Sequence, residues 1–384
     1  MRIVVDCSYL RELNRSGTQN YLYYLLKSLS LADNVNEYHL CFDHKISDSF
    51  KKEITNENPK FHCHYLKKYL SWTQVSLAVF LVGKGFDILV SPWQTMPIVH
   101  SFGLKIVAVI HGLEYDFGRG GPTLYTCLFS NKIIAVSNFT KTEIVRRCKV
   151  NPRKIEVLYE GVDTGKFYKR SEEEIQKVKG GISREVRPGA RSDLQGDYVL
   201  FVGKAVERKN LPRMIEAFSV VIRDNEACRN LSFVIGGPPA LKLRRTQNDD
   251  ATQKTLYDLC VKFGVANRVL FIGYVKENDL PPLISGSKIL FYTSLSEGFG
   301  LPVLEAMACG VPVLTSNSGA LPEVAGDAAL LVNPRDINDM VGGLKKLLTD
   351  ENLRNTCVAK GYEQIKKFSW ERAAEGFPEV LRQI

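Results

Sequence analysis

The stretch Ser294-Leu-Ser-Glu-Gly-Phe-Gly-Leu-Pro-Val-Leu-Glu-Ala-Met-Ala-Cys-Gly310 decides the fold. It is bracketed by two short apolar runs, residues 288–293 and 311–315. Each has the length and near-continuous apolar character of a strand buried on both faces. Gly298 and Gly300 mark a turn, and Pro302 stands where proline is favoured, at the start of a helix. The segment therefore reads strand, turn, helix, strand, which is the unit of a parallel sheet. The backbone N–H groups of Phe299, Gly300 and Leu301 should project from the helix N-terminus. That is an anion site by geometry and by dipole.

The same alternation extends in both directions. Apolar runs recur at 198–203, 231–236, 268–273 and 329–332, and before them at 3–7, 38–42, 87–91, 105–111, 132–137 and 155–159. Amphipathic stretches such as 17–31, 140–148 and 211–222 lie between them. The reading is an α/β chain of two successive doubly wound, Rossmann-like parallel-sheet units. Their ligands should sit beyond the carboxyl ends of the strands. The boundaries expected are 1–164 for the first domain, with the terminal helix 369–384 returning to it, and 198–368 for the second. Residues 165–197, rich in Lys, Arg, Glu and Gly, read as a linker or insertion with a short helix at 172–178. Residues 243–254 read as a polar surface loop.

With 384 residues, 45% hydrophobic and 24% charged, the chain is neither disordered nor fibrous. No run approaches the roughly 18 apolar residues of a membrane span, and the charged start Met1–Asp6 reads as a first strand. Nine cysteines without a Cys-x-x-Cys pair suit a reducing cytoplasm. The formal charge of +9 favours anionic partners, but no basic run carries the interleaved aromatics of a nucleic-acid binder. His62-Cys63-His64 alternates as a strand does, which is the simpler reading than a metal site. No GxGxxG is present to suggest NAD or FAD, and no acidic cluster at a strand end suggests a metal.

Glu297 and Glu305 frame the anion site, one before the helix and one expected on its first turn. A phosphate site flanked by two acceptors of sugar hydroxyls suits a nucleotide-sugar; a capped helix with two solvated carboxylates is the plainer alternative. Arg208 and Lys209, after Gly203 and Lys204, place two cations beside another helix start, fit to neutralise a diphosphate or merely solvated. Gly17 precedes a helix, and His111 ends an apolar strand where a cleft mouth would lie.

These strings resemble the retaining family-4 glycosyltransferases. The likeness is carried by Glu297 through Glu305 with their E-x7-E spacing, by 318–334, by Val202 through Asn210, by 135–141 and by Glu160-Gly-Val-Asp163. It covers the chain apart from roughly 166–197 and 243–254. The resemblance implies a GT-B fold of two facing Rossmann-like domains. It implies nucleotide-sugar binding by the second domain, acceptor binding by the first, and a last helix that crosses back near Phe368-Ser369-Trp370-Glu371. By motif position, Arg208 and Lys209 would hold the donor diphosphate and Glu305 the ribose. Glu297 and the Phe299, Gly300 and Leu301 amides would hold the donor sugar and its phosphate. His111 would contact the transferred sugar, and Gly17 would lie beside the diphosphate, with Gly203 and Lys204 completing the donor site. Transfer would retain configuration without metal or cofactor. The turn around Gly17 and the Gly112 that follows His111 depart from the family pattern, leaving acceptor contacts open.

The opening segment resembles the branch that adds mannose to O-antigen and related polysaccharides. GDP-mannose is then the expected donor, with UDP-hexoses as rivals, and a glycan or lipid-linked glycan the acceptor. An epimerase, a phosphorylase and a non-catalytic nucleotide-sugar-binding paralogue remain alternatives. Lys67-Lys68-Tyr69-Leu70-Ser71-Trp72 and 75–82 fit either a peripheral contact with an anionic bilayer or, more simply, a core helix with solvated lysines. The enzyme is expected to be cytoplasmic.

Overall fold

The computed structural model describes residues 1–13, 15–113, 121–182, 194, 196–237 and 249–384. It divides into two compact units, Met1–Gly161 with Phe368–Ile384, and Val162–Lys367.

The first unit is built on seven strands: β1 (Arg2–Asp6), β2 (Glu37–Phe42), β3 (Phe61–Tyr65), β4 (Ile88–Ser91), β5 (Lys105–Ile110), β6 (Lys132–Ala135) and β7 (Ile155–Val157). They form one parallel sheet in the order β3-β2-β1-β4-β5-β6-β7. Val4, Val107 and Val109 are fully buried, as strands covered on both faces require. The sheet reverses its direction of growth between β1 and β4, so the loops after these strands diverge and leave room for a ligand. The helix Trp370–Arg382 packs on the helix Gly17–Ala32 of this unit, with the Trp370 ring stacked on Tyr24 at 5.5 Å.

The second unit holds β8 (Tyr198–Val202), β9 (Ser232–Gly236), β10 (Val269–Gly273), β11 (Ile289–Tyr292), β12 (Val313–Ser316) and β13 (Leu330–Val332). All six run parallel in the order β10-β9-β8-β11-β12-β13. Its reversal falls between β8 and β11, the strands whose following loops carry Arg208–Lys209 and Glu297. The close approach of the loops after β8 and β9 depends on glycine. Gly237, at φ +141°, would put a Cβ 2.1 Å from the carbonyl oxygen of Gly203.

Two local expectations need correcting. Residues 249–254 are not loop: they begin the helix Asp249–Lys262, and residues 243–248 lie outside the described part. Acidic residues such as Asp249 and Asp250 are favoured in sequence at a helix start. The segment expected to hold the short helix at 172–178 has a longer one, Glu172–Ile182, with Ile175 buried; residues 183–193 and 195 lie outside the description.

Candidate functional site

In the second unit the reversal point brings together Arg208, Lys209 and Glu297. Arg208 and Lys209 close a single 3-10 turn, Glu207–Lys209, after β8. Asn210 locks this turn. Its backbone adopts φ +64°, a conformation asparagine tolerates, and its side-chain amide donates to Thr293 O (3.0 Å) and Pro334 O (2.7 Å). A backbone bond from Leu295 N to Arg208 O (2.7 Å) ties the loop after β11 to the same turn.

Glu297 receives both cations. Lys209 Nζ donates to Oε1 at 2.5 Å, and Arg208 Nη1 donates to Oε2 and to Ser296 O (3.2 Å). The Tyr292 hydroxyl, at the end of β11, donates to Glu297 Oε1 at 3.1 Å and accepts from Lys209. The Lys209 and Glu297 side chains are only 9% and 8% exposed, so this is a buried ion cluster with one net positive charge. Burial disfavours the ionised form of Glu297, but the charges of Lys209 and Arg208 outweigh it and hold its pKa below the usual carboxylate range. Burial also raises the Tyr292 hydroxyl far above its ordinary value, so it stays a neutral donor.

Beside this cluster the helix Leu301–Ala308 starts at Gly300, with Pro302 in its first turn. Gly300 sits at φ +123°, and a Cβ there would fall 2.7 Å from Leu321 Cδ2. Only glycine lets the chain enter the helix at this angle. Phe299 is buried. Glu305 lies in the second turn of this helix rather than the first, because the helix begins at Leu301. Gly203, at the end of β8, has φ +150°, and its N–H donates to Gly236 O (2.8 Å). Lys204 follows in the same loop, half-buried. The combined result is a helix N-terminus and a net cationic cluster on adjacent loops. That arrangement suits a phosphate-bearing ligand.

The first unit carries the other two expected residues. Gly17 is the first residue of the helix Gly17–Ala32, behind a Ser16–Gln19 capping box. A side chain at Gly17 would meet nothing within 4 Å, so packing does not require the glycine. His111 follows β5. Its Nδ1 lies 3.2 Å from Glu160 Oε1, and its ring meets Tyr21 edge-on at 4.7 Å. The buried Glu160 carboxylate fixes the ring, and Nε2 has no hydrogen-bond partner in the structure.

Several residues here escaped the sequence reading. Tyr292 ends a strand, where it looks like an ordinary core aromatic, and Glu160, legible only within its motif, gave no sign of its contact with His111. Tyr9 and Trp93 follow β1 and β4 and pair edge-on at 5.4 Å, with Tyr9 55% exposed. Trp93 Nε1 donates to Asp6 O (2.8 Å), and the following residue, Gln94, takes φ +59° and donates to Gly112 O (3.1 Å). A strand-end aromatic is indistinguishable from a core aromatic until the topology is known.

The strand His62-Cys63-His64 lies within β3, where His64 Nε2 and His39 Nδ1 approach to 2.9 Å. Among the described residues no group of His, Cys, Asp or Glu is placed to hold a metal ion.

Two doubly wound parallel-sheet units, one with a buried cationic cluster at its reversal point, define the class of protein by fold. Comparison sharpens this. Residues 15–166 match the model "Glycosyltransferase Family 4", and residues 183–364 match "Glycosyl transferases group 1". The chain belongs to the family-4 glycosyltransferases. It is 35% identical over 174 residues to O-antigen chain mannosyltransferase B of Escherichia coli, a match covering 45% of this chain and 42% of that protein. It is 27% identical over 306 residues to the serotype-specific mannosyltransferase WbdA of E. coli, covering 76% of this chain and 34% of that protein. The chain thus spans less than half the length of these relatives. In fold it is similar over its whole length to HepE of Anabaena, solved in complex with UDP and glucose (TM-score 0.73, 16% identity, 100% of both chains). The fold is GT-B.

Proposed function

We propose that the protein transfers mannose from GDP-mannose, with retention of configuration, to a hydroxyl of a glycan or lipid-linked glycan. The observation that carries this is the Arg208–Lys209–Glu297 cluster beside the Gly300 helix start. A buried site with one net positive charge beside a helix N-terminus suits a diphosphate. The mannose assignment draws on the two mannosyltransferase relatives.

In this reading Arg208 and Lys209 stabilise the charge that grows on the departing nucleoside diphosphate. Glu297 holds both cations in place and accepts from the donor sugar. The amides of Phe299, Gly300 and Leu301 take the phosphate, and Glu305 takes the ribose. Gly203 and Lys204 shape the loop under the diphosphate. In the first unit, Gly17 lies beside the diphosphate, and His111, oriented by Glu160, contacts the transferred sugar. The C1–phosphate bond breaks as the acceptor oxygen bonds C1 on the same face. The acceptor proton passes to the leaving phosphate oxygen. The protein then contributes positioning and electrostatics, with no covalent intermediate, metal or cofactor.

The acceptor is assigned to the first unit. Tyr9 and Trp93 stand at its own reversal point, and their rigid faces suit the apolar face of a sugar ring. A UDP-hexose donor is the second reading, favoured by the bound UDP and glucose of HepE.

Incubation with GDP-mannose and mannose-terminated oligosaccharides, followed by NMR of the product, tests the reading. An α-mannoside with GDP release supports it. A β-mannoside refutes retention, and turnover with UDP-glucose alone refutes the donor.

A further inference from the structure

The segment between β3 and β5 has two opposed faces. Trp72, Leu77, Phe80 and Leu81 turn inward and pack with Val4, Leu89, Met96, Leu104 and Ile106. Tyr69, Leu70, Val79, Val82, Ile98, Val99 and Phe102 turn outward, and Leu70 and Phe102 are fully exposed. The core-helix reading of this stretch is therefore half of the arrangement.

Hydrogen bonds weld the outward residues into one surface. Tyr69 N donates to Ser76 Oγ (3.0 Å), and Ser101 Oγ donates to Leu81 O (2.9 Å). The Gln74 amide donates to Met96 O (2.9 Å) and accepts from Ile98 N (2.8 Å). So the loop 96–104 is pinned beside the helical turns Trp72–Leu77 and Ala78–Leu81. Soluble surfaces seldom gather this many large apolar side chains without a partner.

The charge around the patch identifies that partner. Residues 66–105 contain Lys67, Lys68, Lys84 and Lys105, all exposed, against one acidic residue, Asp87. Asp87 is already engaged, since its Oδ2 accepts from Arg2 N at 2.6 Å. A second copy of the chain would bring two such lysine sets together, which like-charge repulsion opposes. An apolar surface whose own segment carries four exposed lysines and a single, engaged carboxylate fits an interface that is itself apolar inside and anionic at its rim. We propose that this face of the first unit docks on a lipid bilayer carrying anionic headgroups. Leu70, Phe102 and their neighbours enter the headgroup–acyl boundary, and the lysines pair with the headgroups. The proposal rests on this patch alone and is independent of donor identity.

The test is flotation of the full chain with phosphatidylglycerol-containing vesicles and with pure phosphatidylcholine vesicles, at low and high salt. Wild type should float with the anionic vesicles at low salt, and high salt should release it in part. Two double variants separate the contributions, Leu70→Ser/Phe102→Ser and Lys67→Glu/Lys68→Glu. All four positions are exposed, so both variants should melt with wild type. Each should weaken vesicle partitioning on the order of tenfold or more. Three results would overturn the proposal. They are no flotation at low salt, flotation unchanged in both variants, and sedimentation showing a wild-type dimer that Leu70→Ser/Phe102→Ser dissociates.

Discussion

Replacing Glu297 with glutamine keeps the side chain's size and removes its charge. Lys209 and Arg208 then face each other without their shared anion. Removing one partner of a buried ion pair costs about 3–5 kcal/mol, because the remaining charge stays desolvated. Lys209 is nine-tenths buried and cannot escape, whereas the Arg208 side chain is 25% exposed and can turn to water. The low end, about 3 kcal/mol, is therefore expected. For a unit of about 200 residues that corresponds to a fall in melting temperature of about 6–12 °C. Inorganic pyrophosphate should stabilise Glu297→Gln more than wild type, since its charge now meets two uncompensated cations. The Lys209→Met/Glu297→Gln double variant should recover at least about 1 kcal/mol, the signature of coupled sites. The three tryptophans, Trp72, Trp93 and Trp370, all belong to the first unit, so calorimetry must follow the second. Tryptophan fluorescence then serves as an internal control and should show an unshifted transition. A Glu297→Gln protein melting within about 2 °C of wild type would refute the buried-cluster reasoning.

Other consequences are as specific. Gly237→Ala forces a Cβ against the Gly203 carbonyl at a positive φ; neither backbone can yield cheaply, and chemical denaturation should show a loss of about 3 kcal/mol or more. Two groups in the first unit give opposite pH dependence. Burial, with His64 alongside, lowers His39 from 6.5 to about 4, so its contribution is present above pH 6.5 and is lost as pH falls toward 4. Burial raises Asp6 from 3.8 to about 6, so its contribution is lost as pH rises from 3.8 toward 6. Near pH 5 the two offset each other. His39→Gln should leave a first unit that destabilises as pH rises from about 4 to 6, and Asp6→Asn one that destabilises as pH falls from about 6.5 to 4, both read by tryptophan fluorescence. Trp93→Ala should raise the acceptor KM severalfold and leave nucleotide-induced stabilisation unchanged; an unaltered acceptor KM would remove Trp93 from the acceptor site.

The strands were legible because a parallel sheet covered on both faces writes each strand as a short apolar run. All six runs of the second half, from 198–203 to 329–332, became strands. The glycine turn and Pro302 located the helix start to within one residue, because glycine and proline have backbone requirements that show in one dimension. What stayed hidden depends on pairing across the chain. That Lys209 and Arg208 share Glu297, 88 residues or more away in sequence, follows only once β8 and β11 are neighbours. Tyr292 reads as a strand aromatic until its hydroxyl is found between Lys209 and Glu297. The outward face of 69–82 was half visible, since Lys67 and Lys68 stand beside it, but the contribution of Ile98, Val99 and Phe102 needed the hydrogen bonds that fold their loop alongside. The polar helix start at Asp249 failed to register because it lacks the apolar stripe that marks a packed helix.

Calorimetric titration of the protein with GDP-mannose, GDP, UDP-glucose and UDP asks whether the Arg208–Lys209–Glu297 cluster holds a nucleotide-sugar. Saturable binding of GDP and GDP-mannose is expected, weakened about tenfold or more in Glu305→Ala through loss of the ribose contact, with weaker response to the uridine pair. Binding of the uridine compounds alone would contradict the donor assignment, and no heat with any of the four would contradict the assignment of the Arg208–Lys209–Glu297 cluster as a nucleotide-sugar site.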